Sequence, residues 1–136
     1  VDAVLFQAQL EMEKQKIRWE VEGALPQDLP IGDFDLCTIF SNLLSNSLEA
    51  CMKVEEEQRY IHLEIRRLED ELVIEMANSC DHLVDVGKLG GVTSKKDSKN
   101  HGYGILNMKD AIHKNYGELL FESTENEFVV RILFHL

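Results

Sequence analysis

Two asparagines and a glutamate, Asn42, Asn46 and Glu49, stand in the run Asn42-Leu43-Leu44-Ser45-Asn46-Ser47-Leu48-Glu49-Ala50. At about 100° per residue the three fall within a ~60° arc of one helix. Asparagine is a poor choice for a helix interior, so two of them on one face suggest a shared polar task. Amide oxygens and carboxylates are hard ligands of the kind Mg²⁺ accepts, and Mg²⁺ on a phosphate-bearing ligand takes only one or two groups from the protein. On spacing alone, the same pair serves equally well as hydrogen-bonding groups for neighbouring loops, and both readings stay open at this point.

A second segment, His101-Gly102-Tyr103-Gly104-Ile105, lies directly before a helical pattern. Glycines let an anion approach the backbone, and a helix N-terminus supplies oriented N–H groups and a positive dipole end. A lone G-x-G fits a hinge just as well. Lys95, Lys96 and Lys99 precede it and could meet an anion, though each taken singly reads as a solvated side chain. Asn78-Ser79-Cys80 closes a strand pattern where a sheet meets a loop, a place where ligands are often met.

The elements that must position these groups follow from periodicity. Residues 2–15 carry Val4, Leu5, Ala8 and Met12 at helical spacing. Residues 16–22 alternate Ile17, Trp19 and Val21 with charged neighbours, as a half-buried strand does. After a loop marked by Gly23, Pro26 and Pro30, a helix capped by Asp33 or Asp35 is expected to run to about residue 57. Its apolar stripe is Leu36, Ile39, Phe40, Leu43, Ser47 and Cys51. Strands are expected at 60–67 and 72–77, turning at Glu69-Asp70-Glu71, and again at 118–123 and 127–135, turning at Thr124-Glu125-Asn126. Between the two pairs, residues 78–102 make a long glycine- and lysine-containing loop, of the kind that serves as a functional lid. A helix over 103–116 follows, ended by Tyr116-Gly117 in the manner of a C-cap. The order predicts one mixed sheet with helices on one face, a two-layer α/β (α+β) sandwich.

The 136 residues fit one domain. The net charge of −11 argues against nucleic acid and against an anionic membrane surface as partners. Cys37, Cys51 and Cys80 are odd in number and lack metal-type spacing, so they read as reduced thiols, which points to a reducing compartment. No run is long enough to span a bilayer. The chain opens at Val1 and is read as a piece of a longer protein.

Taken in order, these segments resemble the GHKL superfamily, which includes DNA gyrase, Hsp90, MutL and the histidine kinases. The helix with Asn42, Asn46, Glu49 and Ala50 resembles its N box. Thr93-Ser94-Lys95 and His101-Gly102-Tyr103-Gly104 resemble its G2 region, and Tyr116-Gly117 before a hairpin also fits. The closest similarity is to histidine kinases of the peptide quorum-sensing type, and it spans nearly the whole chain from about residue 16. The resemblance implies a mixed, mostly antiparallel Bergerat-type sheet that binds ATP and Mg²⁺. It implies that Asn46 holds the metal, and that Asn42 and Glu49 support metal and phosphates. Asn78 would meet the adenine, while Lys95, His101, Gly102, Tyr103 and Gly104 would line the phosphates.

Two departures carry chemistry. Most of the superfamily places an Asp of a D-x-G-x-G box where this chain has Asn78, and a neutral amide accepts a weaker hydrogen bond than a carboxylate. GHKL hydrolases place Glu where this chain has Asn42, and an amide cannot act as general base toward water. The latter suits a kinase that keeps its γ-phosphate for a histidine. The phosphoacceptor is expected on a dimerisation domain outside this chain, with residues 1–15 as the tail of its helix and 16–136 as the catalytic domain. None of His62, His82, His101, His113 and His135 stands in the H-[DE]-x-x-[NH] pattern of such a helix. The further implications are a response regulator as partner, a homodimeric full-length protein, a cytoplasmic location below a membrane anchor, and a lid that is mobile until nucleotide binds. The alternatives are a degenerate GHKL module for protein contacts, a serine kinase of the anti-sigma type, and an unrelated α/β binding domain.

Overall fold

A computed structural model of the chain describes residues 1–89 and 103–136. The elements are α1 (Asp2–Lys14), β1 (Arg18–Glu22), α2 (Asp33–Cys51), β2 (Tyr60–Leu68), β3 (Glu71–Ser79), the short α3 (Val86–Leu89), α4 (Tyr103–Lys114), β4 (Gly117–Ser123) and β5 (Glu127–His135). The five strands form one sheet in the order β1-β2-β3-β5-β4. β1 runs parallel to β2, and every other neighbouring pair is antiparallel. The expected mixed sheet with one helical layer is the observed architecture.

Strand alternation divides the sheet into two chemically distinct faces. Ile61, Leu63 and Ile65 of β2, Leu72, Ile74 and Met76 of β3, and Val130, Ile132 and Phe134 of β5 are buried in the core. α2 covers them with Leu36, Ile39, Phe40 and Leu43, and α4 with Met108 and Ile112. Each such side chain contributes roughly 1.5–3 kcal/mol of transfer free energy. The intervening residues, among them Glu22, His62, Glu64, Glu75 and Arg131, form a charged opposite face. There Arg131 bridges Glu75 at 3.3 Å and Glu122 at 3.2 Å.

α1 belongs to the same core. Met12 is only 1% exposed, and Val4, Leu5 and Ala8 pack against the cluster. The helix ends in a Schellman motif: Ile17 N–H bonds the Met12 carbonyl at 2.9 Å and Lys16 N–H that of Glu13 at 3.2 Å. Lys16, with φ 58°, takes the left-handed position, so the strand starts at Arg18 rather than residue 16.

α2 departs from expectation at both ends. Its N-cap is Gly32, with no side-chain cap, so neither Asp33 nor Asp35 caps it. Both stand in the first turn, where their charge meets the positive pole of the helix. The helix stops at Cys51 rather than near residue 57. Glu55, Glu56 and Glu57 would stand at its negative pole, and the last turn holds no basic residue to offset them. The chain instead makes a 3₁₀ turn at Glu56–Gln58. Arg59 fixes that segment by donating from Nε to the Val54 carbonyl (2.8 Å) and from Nη1 to that of Gln15 (2.9 Å).

The hairpins close where expected, though Glu71 pairs with Leu68 within the ladder, leaving Glu69-Asp70 as the turn. At the end of α4 the left-handed residue is Tyr116 (φ 60°), not Gly117. Gly117 is needed for space: a Cβ there would lie 2.8 Å from side-chain atoms of both Ile112 and Phe134.

Candidate functional site

The contact between α2 and β3 turns polar toward the end of the strand, where Cys51 Sγ lies 3.4 Å from Ser79 Oγ and, one turn earlier on α2, two buried polar side chains meet. Ser47 Oγ donates to Asn78 Oδ1 at 3.2 Å, and Asn78 Nδ2 donates to the Ser79 carbonyl at 2.9 Å. Asn78 is 2% exposed and Ser47 4%. Ser47 continues the apolar stripe of α2 by position while bringing a hydroxyl to it, which is why β3 can end in a buried amide there. Asn78 follows Met76 on the core-facing side of β3 by the same alternation that buries Ile74.

Asn46, next along α2, stands half-buried at the rim of this pair. Its amide makes no hydrogen bond to any described residue. Asn42, one turn earlier and also half-buried, donates from Nδ2 to the Thr38 carbonyl of its own helix at 2.7 Å. That back-bond engages the amide nitrogen and not Oδ1. Glu49 is half-buried one turn beyond Asn46. The structure therefore brings Asn42, Asn46 and Glu49 along one side of α2, with Ser47 and Asn78 joined beneath them. Sequence reasoning had placed Ser47 in the packing stripe only; a hydroxyl among apolar residues beside Asn46 was the available signal.

α4 packs against α2 and is tied to its start. Asn115 Nδ2 donates to Asp35 Oδ2 at 3.0 Å, and Lys114 Nζ lies 3.6 Å from the same oxygen. The first helical residue of α4 is Tyr103, followed by Gly104. At ~1.5 Å per residue the N-terminus of α4 lies about 16 Å from that tie. Lys95, His101 and Gly102 lie outside the described residues, as does most of the expected 78–102 lid. Its first two residues, Asn78 and Ser79, belong to β3.

The thiols near the end of β3 are held protonated. Burial pushes the Cys51 thiol up, against the opposing effect of its hydrogen bond with Ser79. Burial likewise raises Cys80, whose sulfur donates to the His82 carbonyl at 3.2 Å. Asp81, exposed after the end of β3, is held below the usual carboxylate range by its 2.6 Å hydrogen bond with His82. All three cysteines are free. No described helix is long and apolar enough to cross a membrane.

Comparison with known proteins adds three findings. The family described as GHKL domain matches residues 32–135, from the start of α2 to the end of β5. No curated protein matches the sequence significantly. Among solved structures, the chain is similar to the catalytic domain of histidine kinase ThkA, with a TM-score of 0.81 at 16% identity, over 98% of this chain and 88% of that one. It is similar to the mycobacterial sensor histidine kinase MprB (TM-score 0.76, 12% identity, 98% and 91% covered). It is also similar to the histidine kinase domain of a blue-light-activated kinase from Erythrobacter litoralis (TM-score 0.74, 12% identity, 98% and 59% covered). At these identities the likeness is one of fold.

Proposed function

Because the chain belongs to the GHKL domain family, we propose that it is the ATP-binding catalytic domain of a two-component sensor histidine kinase, presenting Mg²⁺-ATP to a histidine on a separate dimerisation domain. The observation that carries this reading is the half-buried amide of Asn46, without a described partner, beside the buried Ser47–Asn78 pair. A polar group left open at the rim of a core contact is suited to a ligand rather than to the fold.

The donor set fits the ligand. Asn46 offers a neutral, hard amide oxygen to Mg²⁺, and Asn42 Oδ1 and the Glu49 carboxylate stand along the same side to orient its waters and phosphates. Asn78 Oδ1 carries one hydrogen bond from Ser47 and keeps a second lone pair, which can accept from the adenine amino group. Asn46 lies about 16 Å along α2 from Asp35, and the α4 N-terminus at Tyr103-Gly104 would meet the phosphates at that end of the helix. Lys95, His101 and Gly102 would complete the phosphate side. Bound Mg²⁺ would neutralise phosphate charge; the side chains themselves position the nucleotide. At Asn42 an amide stands where GHKL hydrolases have Glu, so that position supplies no general base toward water, as suits a kinase that keeps its γ-phosphate.

The histidine nucleophile, the response regulator, the homodimer and a membrane-anchored receptor with this domain on its cytoplasmic side are parts of the same proposal. So is α1 as the tail of the dimerisation helix. The described histidines lie on β2, after β3, at the end of α4 and at the end of β5, and none lies on α1. The chain alone is therefore expected to bind ATP without phosphorylating itself.

The test is calorimetric titration of a non-hydrolysable ATP analogue, with and without Mg²⁺, on this chain and on Asn46→Ala. Mg²⁺-dependent binding that weakens at least ~10-fold in the variant is the expected result. No binding by the parent chain up to millimolar analogue would sink the proposal. It would favour the second reading, a GHKL module kept for protein contacts, which the neutral Asn78 also supports.

A further inference from the structure

The charged face of the sheet holds a cluster that the nucleotide reading does not use. Glu22 ends β1, and His62 and Glu64 stand on β2 in the alternation opposite to buried Ile61, Leu63 and Ile65. Parallel pairing sets Glu22 directly beside Glu64. One ligand atom from each of Glu22, His62 and Glu64 lies within 4.8 Å of the other two. His62 Nε2 is closed off from water and has no hydrogen-bond partner, although Glu22 Oε1 is 3.4 Å away.

We propose that Glu22, His62 and Glu64 form a site for a divalent transition-metal ion of the Zn²⁺ class. Leaving a buried ring nitrogen unsatisfied is unfavourable, and setting two glutamates side by side on adjacent strands is too. A cation between them removes both penalties. One imidazole and two carboxylates are ligands Zn²⁺ accepts, with water in the fourth position. Two tetrahedral ligands, each ~2.1 Å from Zn²⁺, are about 3.4 Å apart, which is the His62–Glu22 separation already present. Arg66 holds Oε1 of Glu64 at 2.8 Å and leaves the second oxygen of that carboxylate for the ion. Glu22, two-thirds exposed, has the freedom to close the remaining gap.

His135 supplies the contrast. It also meets two glutamates, but Glu118 lies 2.8 Å from Nε2 and Glu71 3.7 Å from Nδ1. The carboxylates therefore flank opposite sides of the ring and cannot share one ion. At His62 the ligands converge on a single nitrogen.

The bound ion would tie the edge strand β1 to the body of the sheet. Among the described strands β1 pairs only with β2, and the chain turns away at Gly23, where a Cβ would lie 2.0 Å from the Ile65 carbonyl oxygen.

The experiment is a Zn²⁺ titration of the full chain without nucleotide, by calorimetry against a competing chelator, with β1 amide exchange read by NMR. One equivalent should bind and slow exchange across residues 18–22. Glu22→Gln and His62→Gln should each weaken that affinity at least ~10-fold, while His135→Gln leaves it unchanged. Because Glu22 is exposed at a strand end, its variant keeps the fold whatever becomes of His62. Unaltered Zn²⁺ affinity in Glu22→Gln, no saturable binding by the parent chain, or binding without protection of β1 would each overturn the proposal.

Discussion

Ser47 donates its hydroxyl to Asn78 Oδ1 at 3.2 Å in a contact sealed from water, and this bond ties the helix of the candidate site to the strand that ends beneath it. It also gives a reason for an amide rather than a carboxylate at position 78. Asn78 Nδ2 donates to the Ser79 carbonyl at 2.9 Å, and a carboxylate there would set two acceptors against each other. Asn78→Asp should therefore destabilise the fold by about 1–3 kcal/mol and should not improve ATP affinity. Urea unfolding and analogue titration of the variant check the two halves. A tighter-binding, equally stable Asp variant would show that Ser79 does not need the amide.

α1 packs through Met12, which is buried at the junction of α1 and β1. Met12→Ala should cost about 2–5 kcal/mol, the range for removing a fully buried large side chain. If α1 were only a tail continuing into another domain, the loss would be a few tenths. Chemical denaturation of the variant, beside a chain beginning at residue 16, separates the two cases.

The two helix ends make opposite predictions. Lys16 adopts φ 58° at the C′ position of α1, a conformation that favours glycine, so Lys16→Gly should stabilise by about 1 kcal/mol. Gly117 has ordinary backbone but no room, so Gly117→Ala should destabilise by about 1–3 kcal/mol as Ile112 and Phe134 give way. Thermal unfolding of both variants gives the signs directly.

Periodicity made the strands, the helices α1, α2 and α4 and their order legible, because one-sided burial imposes period 2 on β2, β3 and β5 and a helical stripe on α2. Asn42, Asn46 and Glu49 were legible as a constellation for the same reason. Helix ends were less so. The stop at Cys51 depends on three glutamates meeting a helix pole and on Arg59 reaching Val54 and Gln15, which only the folded chain brings within range. The Ser47–Asn78 bond spans distant positions and leaves no local signature. The convergence of Glu22, His62 and Glu64 depends on parallel register between β1 and β2, which composition does not encode.

Tyr60 offers a pH test at the start of β2. Its hydroxyl donates to Glu127 Oε2 at 2.5 Å, and its pKa is raised, first by burial and then by that hydrogen bond and the glutamate charge. The proton is therefore held more tightly in the folded chain than in the unfolded one. Below about pH 10, the ordinary tyrosine value, both states keep the proton and the stabilisation is fully present. Above it, the unfolded chain ionises first, so stability falls as pH rises toward the folded value. Tyr60→Phe lacks the bond and the titration. It should be less stable than the parent by about 1 kcal/mol at pH 8, and the gap should narrow above pH 10. Urea midpoints of both proteins from pH 8 to about 11 measure this. A gap that stays constant over that range would mean that the Tyr60–Glu127 contact does not hold the phenol proton.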